Sequence, residues 1–90
     1  MDKYVIERDI PGVGGNTPEG FCKAARQSNQ VLDQLNGIQW QESFVTADKL
    51  FCVYLADSEA VIREHAQKSG FPATRVHRVR TVLDPTSANK

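Results

Sequence analysis

The chain has 90 residues, which makes one domain with a thin core, because a chain this short buries only about two thirds of the surface its unfolded form exposes. Lysine plus arginine equals aspartate plus glutamate, 11 of each, so the formal net charge is zero and the case for non-specific binding to nucleic acid or an anionic membrane is weak. No apolar run approaches a membrane span, and Met1-Asp2-Lys3-Tyr4 lacks the apolar stretch of a signal peptide, so the expected location is the cytoplasm.

Tyr4 to Asp9 reads as a strand, rich in β-formers and stopped by Pro11. Gly12, Gly14 and Gly15 make a loop. Thr17 is then a good N-cap, with Pro18 at the first helical position and Glu19 near the positive end of the helix dipole. Phe21, Ala24, Ala25, Ser28, Val31, Leu32 and Leu35 recur at three and four residues and form one apolar stripe, which predicts a helix closed by Gly37.

Ile38 to Ala47 and Leu50 to Ala56 read as two strands joined at Asp48-Lys49. A two-residue turn there sets Glu42 opposite Leu55, Phe44 opposite Val53 and Ser43 opposite Tyr54. One face then carries Ile38, Trp40, Glu42, Phe44, Phe51, Val53 and Leu55. The other carries Gln39, Gln41, Ser43, Val45, Cys52, Tyr54 and Ala56. The first is nearly all apolar and is expected under the helices, while the mixed second face suits an interface or a half-wet cavity.

Asp57 or Ser58 caps a second helix with the inner stripe Val61, Ile62, His65 and Ser69, closed by Gly70 and followed by Pro72. Arg75 to Leu83 reads as the last strand, and Asp84-Pro85 ends it. Residues 1–86 are expected to form a single domain, with 87–90 a flexible tail. The order strand, helix, strand, strand, helix, strand fits the ferredoxin-like α+β arrangement, a four-stranded antiparallel sheet with two helices on one face. Its uncovered face predicts a homodimer formed sheet to sheet, a dimeric α+β barrel.

The segments YVIERDIPG (4–12), WQESFVTADKLFCVYLA (40–56), IREHAQKSGFPATRV (62–76) and RTVLDPT (80–86) resemble a family of small bacterial proteins that includes an actinobacterial nickel-binding protein with a dimeric ferredoxin-like barrel fold. The resemblance runs from Lys3 to about Thr86. It implies the fold, a dimer and binding of nickel or another divalent transition metal, and it assigns no ligand residues.

Glu42 interrupts an apolar strand face and His65 an apolar helix stripe, and both are expected to point between helices and sheet. A buried carboxylate needs a partner or a raised pKa, and His65, Arg8 or Arg80 are the candidates. Two readings stay open: metal ligands or an acid/base pair in a polar pocket, and a hydrogen-bonded pair at the edge of the core. The functional expectation is a metal- or small-ligand-binding protein, with His65 and Glu42 as its metal candidates. One alternative is a barrel enzyme of the oxygenase or isomerase kind, with His65 as base or ligand, Glu42 orienting it, and Tyr54 or Arg8 polarising the substrate. A purely structural interaction module is the other.

Cys22 and Cys52 form no CxxC and are expected to be free thiols packed as small hydrophobes. Gly12-Val13-Gly14-Gly15-Asn16-Thr17 narrowly misses the dinucleotide fingerprint, with Thr17 where the third glycine belongs. Arg75, Arg78 and Arg80 form a basic strand. Phe51 and Tyr54 point to opposite faces, so no base-stacking platform is expected, and the arginines are expected to pair with Glu7, Asp9 or Glu42.

Overall fold

The structure, a computed structural model, describes residues 1–89; Lys90, the last residue of the expected tail, lies outside the described residues. Four strands form one antiparallel sheet in the order β2-β3-β1-β4, where β1 is Asp2–Asp9, β2 Ile38–Val45, β3 Lys49–Ala56 and β4 Arg75–Arg78. Helices α1 (Pro18–Leu32) and α2 (Glu59–Ser69) connect β1 to β2 and β3 to β4, giving the ferredoxin-like α+β fold.

The helix ends follow the cap chemistry. The Thr17 hydroxyl accepts from the Gly20 amide at 3.0 Å, and Pro18 sits in the first turn. Ser58, rather than Asp57, caps α2, accepting from the Val61 amide at 3.4 Å. Gly70 closes α2 with φ 80°, where a side chain would be strained. Gly37 also has a positive φ, 75°, but α1 ends earlier, at Leu32. Gly37 instead turns the chain into β2, and its carbonyl accepts from the Asp57 amide at 2.9 Å.

The sheet is dressed differently from the sequence expectation. The turn is Ala47-Asp48, with Thr46 and Lys49 bonded across it, and Glu42 pairs with Val53, Ser43 with Cys52 and Phe44 with Phe51. A β-bulge at Gln41 then shifts the ladder, so Trp40 pairs with Tyr54 and Ile38 with Ala56. The covered face is therefore Tyr4, Ile6 and Arg8 of β1 with Cys52, Tyr54 and Ala56 of β3 and Ile38 of β2, all buried with Ile62 of α2. Phe51, Val53 and Leu55 lie half-buried on the open face with Val5, and Phe44 is 54 % exposed. The expectation that this apolar row lies under the helices is corrected: apolarity does not distinguish a core face from an uncovered one. Small residues on β3, Cys52 and Ala56, leave room for the helices.

β4 stops at Arg78 rather than Leu83. Tyr4 pairs with Arg78, and one further bond runs from the Val79 amide to the Lys3 carbonyl at 2.8 Å. In that register Arg80 would meet Asp2, the first residue of β1; Val82 and Leu83 are exposed. Pro85–Asn89 form a 3-10 turn in which the Asp84 carboxylate accepts from the Thr86 amide at 2.8 Å.

Candidate functional site

The helices leave a gap over the covered face. Between α1 and strands β1 to β3 lies a cavity of about 240 Å³, mostly apolar, with Arg8 at its wall. Its shape follows from local sequence. Ala24, Ala25 and Ser28 give α1 a flat inner surface, and Phe21, Trp40 and Phe71 stand around it. The bulge at Gln41 brings Trp40 and Ser43 to one side of β2, where the Trp40 indole N–H donates to the Ser43 hydroxyl at 3.0 Å.

Arg8 continues the buried row Tyr4, Ile6 and is itself only 1 % exposed. A buried charge is costly unless an opposite charge answers it. None does among the described residues: no salt bridge reaches Arg8. Its Nη1 donates to the carbonyls of Pro72 at 2.9 Å and Phe71 at 3.4 Å. Its Nε points at Cys52 Sγ and its Nη2 at the Tyr54 hydroxyl, each at 3.4 Å. The Phe71 ring centroid lies 6.0 Å from the guanidinium carbon. A guanidinium has one N–H more than these four bonds use.

Tyr54 and His65 continue the buried polar line. Burial pushes the Tyr54 hydroxyl pKa up, the nearby Arg8 charge opposing it, so at neutral pH Tyr54 is a neutral phenol whose oxygen accepts from Arg8. The His65 ring, fully buried, lies 5.6 Å from the Tyr54 ring. Burial, and then the positive charge of Arg8, hold the His65 pKa below its ordinary value, while Ser28 acts the other way. His65 Nε2 is 3.2 Å from the Ser28 hydroxyl, and Nδ1 has no partner among the described residues. A neutral ring that keeps its proton on Nε2 leaves Nδ1 a bare acceptor, a smaller penalty than an orphaned donor.

Residues 4–79 match the family described as nickel responsive protein SCO4226-like. The chain belongs to that family. The crystal structure of SCO4226 from Streptomyces coelicolor A3(2) superposes with a TM-score of 0.76 at 12 % identity, covering 90 % of this chain and 99 % of that one, which supports the fold. No curated protein sequence matches the chain. No helix among the described residues is long and apolar enough to cross a membrane.

For this family member the structure unites three of the four residues singled out in the sequence. Arg8, Tyr54 and His65 share the covered face; Glu42 does not. It is exposed, paired in register with Val53 on the open face. The expected His65–Glu42 pair is therefore not formed, because the sheet lies between them, and the two do not fit one metal ion within a chain. His65 is instead met by Ser28, a partner the sequence reading left as part of the α1 stripe. The signal for Arg8 was in plain view: an arginine in the alternating buried row of β1. Trp40 lies under the helices as its row predicts, and the bulge at Gln41 parts it from Glu42, which turns to the open face.

Other expectations resolve simply. Glu7 collects the open-face cations: Lys49 at 2.8 Å, Arg75 at 2.8 Å and His77 at 3.4 Å, and the Lys49 bond leads in lowering its pKa. Arg78 pairs with Asp2. Both cysteines are free, but only Cys52 is packed; Cys22 is exposed on α1. The glycine segment is tied to the β2–β3 turn, with the Gly12 amide donating to the Asp48 side chain at 2.8 Å and the Gly14 amide to the Ala47 carbonyl at 3.0 Å. Those amides are spent internally, so they do not form a phosphate cradle.

Proposed function

We propose that this chain is a small-ligand-binding protein whose ligand sits in the cavity between α1 and the sheet. The observation that carries the reading is Arg8, a fully buried guanidinium without an acidic partner, standing at the wall of an apolar cavity. Concave apolar sites with a few fixed polar groups are where small molecules bind. A fragment screen by thermal shift tests it, with Ala25→Leu as the filled-cavity control. Fragments should raise the Tm of the parent and not of the filled, folded variant. Equal shifts in both would remove the cavity as the site.

The open face supports a second element of the reading, a homodimer. Val5, Phe51, Val53, Leu55 and Phe44 form an apolar strip there, and a second copy of the same face is its economical cover. Nickel binding is the other reading, favoured by the family description. No three His, Cys, Asp or Glu side chains converge on one metal position among the described residues of one chain. Ligands shared between two chains meet that requirement. His77 and Glu7, 3.4 Å apart on the open face that also carries Glu42, supply imidazole and carboxylate, which nickel accepts. Calorimetric titration of tag-free protein with nickel checks this: His77→Asn should abolish binding and His65→Gln should keep it, and the reverse pattern would overturn the assignment.

An enzymatic role is the less supported alternative. Tyr54 lines the cavity with His65 buried behind it, 5.6 Å away ring to ring, but Glu42, the carboxylate of the expected acid/base pair, lies on the other face.

A further inference from the structure

The guanidinium of Arg8 has two unequal sides. Nη1 is anchored by backbone, with the Pro72 carbonyl at 2.9 Å and the Phe71 carbonyl at 3.4 Å. The Nε and Nη2 side, the edge that grips a planar two-oxygen acceptor, meets only a thiol sulfur and a phenol oxygen, both at 3.4 Å. Sulfur is a weak acceptor and neither group carries a compensating charge. Cys52 and Tyr54 both line the cavity, so this edge belongs to the cavity wall. The side chain is thus anchored on one edge and weakly held on the other.

We propose that the ligand of this cavity is a small monocarboxylate with a compact apolar body, its two oxygens received by Nε and Nη2 of Arg8. The inference rests on the cavity reading above and adds the chemical class. The carboxylate supplies the counter-charge that the fold withholds, and the Tyr54 hydroxyl, displaced as an acceptor, becomes a third donor to it. The body lies against Ala24 and Ala25 and between the rings of Phe21 and Trp40. A volume of about 240 Å³ holds roughly eight waters at the ~30 Å³ each takes in the liquid, which limits the body to a single ring or a short alkyl chain. A phosphate monoester fits less well: it is doubly charged near neutral pH, and Arg8 is the one basic side chain in the cavity wall.

The test is calorimetric titration of the whole protein at neutral pH with phenylacetate and hexanoate, each beside its neutral partner, phenylacetamide or hexanamide. The expected result is that at least one acid binds about tenfold or more tightly than its amide, the range of a charge-assisted bond made in a buried site. Arg8→Met should erase that preference, and Arg8→Lys, which keeps the charge but loses the fork, should restore part of it. The comparison of acid with amide on the unchanged protein decides the matter even where a variant does not fold. Equal binding of acid and amide overturns the carboxylate assignment and leaves the cavity reading standing. Absence of binding by all four at millimolar concentration, with other fragments failing in the thermal screen as well, overturns both.

Discussion

His65 makes a pH-dependent prediction that the geometry sizes. The ring is fully buried, its Nδ1 has no partner, and Arg8 adds a positive charge nearby, so the folded protein holds the imidazole neutral below the pH at which the unfolded chain takes up a proton. The unfolded value is the ordinary 6.5. Below it the unfolded state binds more protons than the folded one, so stability falls as pH falls, by up to about 1.4 kcal/mol per pH unit until the folded-state pKa is reached. The loss sets in near pH 6.5 and grows as pH falls toward the lowered folded-state pKa, and it is drawn from the roughly 5–15 kcal/mol that holds a small domain together. Urea unfolding followed by the fluorescence of Trp40 measures it. The parent midpoint should fall across that window, while His65→Gln, which can still hydrogen-bond Ser28, should show a much flatter profile. A flat parent profile, or an equal slope in His65→Gln, would refute the claim that a neutral buried imidazole is part of the fold.

Three further outcomes follow from the same geometry. Ile62→Ala removes a side chain that is 1 % exposed and should cost about 2–5 kcal/mol, read from the urea midpoint at unchanged slope. Ser58→Ala should cost about 1 kcal/mol by the same assay, because it strips the N-cap of α2. Val53→Glu places a charge in the middle of the open apolar face; sedimentation equilibrium should find the parent dimeric and the variant folded and monomeric, while a monomeric parent would remove the dimer and a variant that self-associates as the parent does would move the interface elsewhere.

The elements were legible because their punctuation is local. Thr17-Pro18, Ser58 and Gly70 mark helix ends through groups within one turn of the cap, and the two stripes repeat at helical spacing. The sheet faces were not legible. The turn between β2 and β3 lies one residue earlier than its composition indicates, and the bulge at Gln41 reverses Ile38 and Trp40 relative to Glu42. Apolar content then pointed to the wrong face, since the row Phe51, Val53, Leu55 is more hydrophobic than the row Cys52, Tyr54, Ala56 that the helices cover. Glu42 went astray with that row. His65 points between helices and sheet as its stripe predicts because α2 has no such irregularity, and β1, which pairs on both sides without a bulge, keeps the strict alternation that buries Arg8.

The account turns on the Arg8 guanidinium at the wall of an apolar cavity. Isotope-filtered NOE spectra of labelled protein with phenylacetate read that site directly. Ring protons of the ligand should show contacts to the methyl groups of Ala24 and Ala25 and to the Trp40 indole, with the Arg8 Nε–H resonance shifting on titration. Contacts confined to the open face, with Arg8 Nε–H unmoved, would contradict it.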